Sequence, residues 1–185
     1  MDSHLTILLG FCFIIFFISF SYLMSRYRLC PADKVLVVYG QTGSNTASKC
    51  IHGGGIFVLP IIQNYQYLDL TPIGITSGIE NIYSKNNIKI NIQGKFTFGI
   101  SDDKGIMENA AIYLLSKSKK EISDLANNII EGQVRLISTK IDINEIKQNG
   151  EDIKTVFNEN ISSALREVFN KIGLKLINID VVDVY

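Results

Sequence analysis

Ile88–Ile100 reads IKINIQGKFTFGI. Ile88, Ile90, Ile92, Phe96, Phe98 and Ile100 share one phase of a two-residue repeat, broken only at Gly94. Lys89, Asn91, Gln93, Lys95 and Thr97 share the other. Successive side chains point to opposite faces of a strand, so this pattern predicts a long strand with one buried and one wetted face. Upstream, the chain keeps the same character. Ile73–Ile79 alternates in phase, and Tyr65–Leu70 alternates until Pro72 ends it. Lys34–Tyr39 (KVLVVY) is a β-branched run stopped by Gly40. Gln41–Ser48 is rich in Gly, Ser, Asn and Thr and reads as a loop. Lys49–His52 and Ile56–Leu59 flank Gly53, Gly54 and Gly55, with Pro60 beyond. They are expected to form a hairpin on a glycine turn.

Downstream, the period changes to that of a helix. Asp102 and Asp103 can cap a helix running to about Leu115. Ser118 and Glu121 form a capping box, followed at helical spacing by Ile122, Leu125, Ala126, Ile129, Gln133, Leu136 and Ile137. Asp142 and Glu145 start a short turn that Gly150 breaks. Ile153, Val156, Phe157, Ile161, Ala164, Leu165, Val168, Phe169 and Ile172 line a wide apolar face, with Gly173 as the stop. Leu174–Val184 closes the chain as a strand, apolar on the phase of Ile177, Ile179 and Val181. Strands followed by helices give an α+β fold class. The expected parts are 1–25, a β-rich stretch 26–102 and an α/β stretch 103–185.

The N-terminal part differs from both. Leu5–Met24 (LTILLGFCFIIFFISFSYLM) carries no charge, and its helical length of about 30 Å matches a bilayer's hydrocarbon core. Leu5, Ile7, Leu8, Leu9, Phe11, Phe13, Ile14, Ile15, Phe16, Phe17, Ile18, Phe20 and Leu23 make it apolar all round, as a membrane segment is. No Lys or Arg precedes it, and Ser25-Arg26-Tyr27-Arg28 offers no small-x-small cleavage site, so a retained anchor is expected rather than a cleaved signal peptide. Arg26 and Arg28 mark topology: by the positive-inside rule they place the following domain in the cytoplasm. Tyr22 and Tyr27 stand where interfacial aromatics belong. A segment that dips in and returns on the same side is the alternative to a span.

Composition narrows the function classes. The 185 residues carry 18 basic and 18 acidic side chains, whereas a nucleic-acid binder shows a basic excess or stripe. Three cysteines, Cys12, Cys30 and Cys50, form no disulfide framework. Gly53-Gly54-Gly55 lacks the following helix and Lys-Ser/Thr pair of a phosphate loop. Cys50 and His52 fall short of the three or four ligands zinc takes. No nucleophile elbow or triad is present, and no cofactor site is expected. Lys117, Lys119 and Lys120 read as a solvated corner, with anionic lipid contact as the other reading. Cys30 lies a few residues past the anchor, where S-acylation occurs, although an ordinary thiol is the favoured reading.

Several blocks resemble the flotillins: Arg26-Tyr27-Arg28, Cys30-Pro31 and Asp33–Gly40; Cys50–Gln63 around the glycine turn; Asn109-Ala110-Ala111 with Leu114-Leu115; Ile129–Arg135; and Lys171–Asn178. The likeness runs in order from about Arg26 to Val184. It identifies the chain as similar to the stomatin/prohibitin/flotillin (SPFH, Band 7) superfamily. The resemblance implies a β-rich SPFH subdomain followed by a mixed α/β one. It also implies a non-enzymatic scaffold that self-associates on the inner membrane face and organises lipids and membrane-protein clients. Flotillins continue into a coiled coil; the sequence stops at Tyr185, where that coil would begin, so either a truncated chain or a minimal variant lacking it is expected, with self-association weakened. The alternatives are an SPFH-type regulator enclosing a membrane protease and, from another class, an anchored ligand-binding or enzymatic domain.

Overall fold

The computed structural model describes residues 2–41, 48–149 and 152–184. The expected loop at 41–48 and the break at Gly150 lie largely or wholly outside the described residues. The chain divides into two compact units, Met1–Tyr67 and Leu68–Tyr185.

The first unit opens with helix α1, Asp2–Met24. Only Ser25 and Arg26 separate it from strand β1, Tyr27–Leu29. Strands β2 (Lys34–Gly40), β3 (Ser48–Ile51), β4 (Gly55–Phe57) and β5 (Gln63–Asp69, whose last two residues belong to the second unit) follow. β1 and β4 make an antiparallel ribbon that aligns Tyr27 with Phe57 and Leu29 with Gly55. β3, β2 and β5 make a three-stranded sheet in that order. Val35, Leu36, Val37 and Val38 are all buried, which is why β2 reads as a continuous apolar run rather than an alternating one. Cys30, Leu36, Val38 and Val58 form a core cluster, with Ile51, Ile56, Tyr65 and Tyr67 packed against it.

The expected hairpin over Lys49–Leu59 is corrected here. The two pieces pair with different partners, β3 with β2 and β4 with β1. The glycine turn passes the chain from one sheet to the other. β4 can approach β1 because Gly55 has no side chain; a Cβ there would stand 2.7 Å from the Tyr27 ring and 2.8 Å from the Arg28 carbonyl oxygen.

The second unit is built on the long strand that the alternation predicts, β7 (Lys89–Ile100). It is the middle strand of an antiparallel sheet ordered β6 (Ile73–Tyr83), β7, β8 (Leu174–Val184). Ile90, Ile92, Phe96, Phe98 and Ile100 are buried, while Ile88 stays exposed beside the Ser84–Asn87 turn. Helices α2 (Ile106–Tyr113), α3 (Lys119–Ser138), α4 (Ile143–Asn149) and α5 (Ile153–Ile172) complete the unit. α3 buries Ile122, Ala126, Ile130, Val134 and Ile137, and α5 buries Phe157, Ile161, Leu165 and Phe169. Both sets recur every three or four residues, the spacing of one helix face. Phe98 of the sheet meets Phe169 of α5 edge to face, ring centres 5.6 Å apart. Because β6 and β7 join β8 and the helices, the division falls at Tyr67/Leu68 instead of the expected 102/103.

Local signals set the helix ends. The Ser118 side chain accepts from the Glu121 amide, and the Glu121 carboxylate accepts from the Ser118 amide, a complete capping box. Asp142 accepts from the amides of Asn144 and Glu145. α5 starts on Asp152 and ends on Gly173 in the left-handed conformation. Asp102 and Asp103, by contrast, do not cap α2. Gly105 takes the N-cap position with a φ of 91° and no side-chain cap, and both aspartates pair with Lys175 at 3.3 Å. That pairing raises the Lys175 pKa, Asp102 contributing most.

The closing strand carries a second correction. Leu174, Leu176 and Val181 are its buried residues, and Ile177 is 51% exposed. Phe98 pairs with Leu176 and Thr97 with Asn178, leaving Ile177 as the extra residue of a bulge. One inserted residue flips the phase of everything after it.

Candidate membrane-anchoring site

α1 has the length and composition to cross a membrane over Ile7–Met24. Every side chain from Ile7 to Met24 is exposed, so no part of this surface is used by the protein's own core. Eighteen residues rise about 27 Å, close to a hydrocarbon core of about 30 Å. The aromatic residues stack along the helix: Phe13 on Phe17 at 5.4 Å and Phe16 on Phe20 at 6.3 Å. This is four-residue spacing, which brings side chains one above another.

The two topology arginines sit just beyond. The Arg26 guanidinium lies 4.6 Å from the centre of the Tyr22 ring and donates to its hydroxyl at 3.1 Å. Arg28 lies 4.9 Å from the Tyr65 ring. Both are cation–π arrangements, which hold a guanidinium in place without neutralising it. Neither arginine forms a salt bridge among the described residues. They line one small cavity of about 80 Å³ together with Val58, Pro60, Gln63, Asn64 and Tyr65. The sequence brought the arginines forward as a charge signal only; their convergence on Gln63, Asn64 and Tyr65 depends on how β1, β4 and β5 are placed.

Pro60 belongs to a tight turn. The Gln63 amide donates to the Leu59 carbonyl at 2.8 Å, the Leu59 amide donates to the Gln63 side chain at 3.1 Å, and that side chain donates to the Gln41 carbonyl at 2.8 Å. The turn is thus tied down at its base, while its tip is bare: Ile61 is 94% exposed, Leu59 52% and Ile62 43%. Tyr27, Leu29 and Phe57 of the β1–β4 ribbon are exposed as well. Apolar side chains flanking a proline without strand alternation were the available signal for this tip.

The remaining candidates have structural settings. Gly53 and Gly54 have φ values of 77° and 78°, the conformation glycine adopts without penalty. The Cys30 amide donates to the Gly54 carbonyl at 2.8 Å. The Cys30 side chain is only 8% exposed, and its sulfur stands 3.1 Å from the Lys34 and 3.2 Å from the Ile51 carbonyl oxygen. His52 Nδ1 lies 3.2 Å from the Lys34 carbonyl oxygen. No group of three or more His, Cys, Asp or Glu side chains suited to a metal ion occurs among the described residues. Lys119, from the predicted solvated corner, bonds Asp69 at 2.6 Å. That ammonium, with the Thr71 hydroxyl and amide, holds the Asp69 carboxyl well below the usual carboxylate range.

An exposed apolar helix feeding directly into a small β unit and then an α/β unit is the order the flotillin resemblance implies. The sequence profile described as "SPFH domain / Band 7 family" matches residues 29–185. The chain belongs to the SPFH domain (Band 7) family. It is a flotillin-like member. "Flotillin-like protein FloT" of Bacillus subtilis (strain 168) is 24% identical over 196 aligned positions, which cover 100% of this chain and 37% of the relative. "Flotillin-1" of Homo sapiens and of Mus musculus are each 24% identical over 157 positions, covering 84% of this chain and 35% of theirs. The flotillin-like chain therefore spans a little over a third of the length of these curated relatives.

Proposed function

We propose that this flotillin-like chain is a non-enzymatic scaffold, anchored in the cell membrane through α1, that self-associates and organises lipid and protein microdomains. The observation that carries the reading is the junction: an exposed helix of membrane-spanning length passes into the SPFH domain across two residues. Arg26 and Arg28 at that junction support a cytoplasmic SPFH domain by the positive-inside rule. The exposed Leu59–Ile62 tip and the Tyr27, Leu29 and Phe57 side chains support a first unit that lies against lipid. Cys30 serves in this reading as a packing residue rather than an acylation site.

The test uses the full chain in vesicles. Flotation with the membrane is expected, along with SPFH peptides cleaved by protease only from the cytoplasmic side. Chemical cross-linking before solubilisation is expected to give ladders above the monomer. A chain that stays with the soluble fraction removes the anchor, and a strictly monomeric one removes self-association.

A further inference from the structure

We propose that Arg26 and Arg28 form a binding site for the phosphate of an anionic phospholipid headgroup; this inference rests on the membrane reading above. The cavity they line holds about 80 Å³ and no carboxylate. Its other polar walls are Gln63 and Asn64, uncharged amides that can donate to an anion. The ring of Tyr65 fixes Arg28 from one side and that of Tyr22 fixes Arg26, so both guanidinium groups are placed before any ligand arrives. Placement in advance reduces the rotamer entropy lost on binding.

A second observation points independently to a missing partner. Arg26 Nε is shielded from solvent and has no hydrogen-bond partner, the one such buried side-chain donor among the described residues. A buried donor without an acceptor destabilises a fold, and native structures leave few of them. Guanidinium matches a phosphate in shape, offering parallel N–H donors in one plane. A phosphate in the cavity would meet the charge, and turning the Arg26 side chain toward it would give the Nε–H its acceptor.

Position selects a lipid over a free anion. Arg26 follows α1 by two residues, at the level where a spanning helix leaves the hydrocarbon. Pro60 is both a wall of the cavity and part of the bare Leu59–Ile62 tip. An anion bound there with an attached acyl chain meets apolar side chains directly beside the phosphate, while inorganic phosphate gains nothing from them.

Native mass spectrometry of the full chain in a mild non-ionic detergent, titrated with phosphatidylglycerol, tests the site. One lipid retained per chain is expected, with R26Q/R28Q at least tenfold weaker and K49Q unchanged. In wild-type protein labelled with ¹⁵N-arginine, the Arg26 Nε–H signal is expected to move downfield on lipid addition, a readout that needs no variant to fold. Retention unaffected by R26Q/R28Q, or an unmoved Nε–H signal, overturns the proposal. Displacement of the lipid by equimolar inorganic phosphate overturns the lipid assignment. Vesicle flotation keeps the two readings apart: R26Q/R28Q is expected to float through α1, whereas a wild-type chain that does not float overturns the membrane reading itself.

Discussion

Gly173 joins α5 to β8 at the tightest point of the second unit, and Gly173→Ala tests that geometry. Its φ is 88°, and an added Cβ would stand 2.1 Å from the Ala110 amide nitrogen, 2.2 Å from its Cα and 2.5 Å from its Cβ. Two penalties follow. Holding a non-glycine residue left-handed costs about 1–2 kcal/mol. Forcing a carbon into occupied space costs about 1–3 kcal/mol more. Two of those contacts are backbone, so α2 as a whole must move away from α5. The expected loss is about 2–5 kcal/mol, or roughly 4–20 °C in Tm for a protein of this size. Gly105→Ala separates the terms, since Gly105 has a φ of 91° but nothing within 4 Å of its Cβ position. Its ψ of -46° differs from that of Gly173, and its loss is expected to come from backbone strain alone, with no overlap. Thermal melts of the full chain in mild detergent, followed by near-ultraviolet circular dichroism of the tyrosines, measure both. A Gly173→Ala variant no less stable than Gly105→Ala refutes the claim that α2 closes on this junction.

Ser118→Ala removes the capping box and is expected to cost about 1 kcal/mol; faster hydrogen exchange confined to the first turn of α3 checks it. Asp69→Asn tests the Lys119 pair through pH. The Asp69 carboxyl is lowered in the folded chain, so its contribution is complete above the unfolded carboxylate pKa of about 3.9 and is lost as pH falls below it. Tm against pH is therefore expected to fall less steeply below about pH 4 in the variant, and identical slopes would remove the pair from the account. Phe169→Ala empties the space against Phe98 and is expected to cost about 3–5 kcal/mol, read as a lower urea midpoint for the second unit. Ile61→Asp leaves folding unchanged at a 94% exposed position and is expected to reduce close contact of the first unit with lipid, measured as lost bromolipid quenching of a probe at the neighbouring exposed position 59.

What could be read from the chain divides along a physical line. β7, α3 with its Ser118–Glu121 box and α5 with Gly173 follow from interactions within a few residues, and local pattern records those. The partners of β3 and β4 do not: a short strand carries no mark of which edge it will meet, and the Gly55–Tyr27 approach that decides it spans unrelated sequence. The phase of β8 failed at Ile177 because a bulge is a property of two strands together. Asp102 and Asp103 had the composition of caps, but Lys175, far along the chain, competes for them. The apolar helix α1 was fully legible in Leu5–Met24. The cavity beside it was not, since Arg26, Arg28 and Asn64 meet only after three strands are placed.

The joint after α1 has a mechanical side. The Ser25 amide still donates to the Ser21 carbonyl and the Arg26 amide to the Leu23 carbonyl, so helical bonding runs up to the residue that begins the β ribbon. The Arg26 carbonyl then receives the Val58 amide at 3.1 Å, riveting the joint to the far side of the ribbon. These bonds restrain rotation at the joint. A helix longer or shorter than its bilayer responds by tilting, and a stiff joint transmits that angle to whatever it carries. In a bilayer, the first unit would then work as the pointer on a gauge, its inclination set by the thickness of the membrane beneath it.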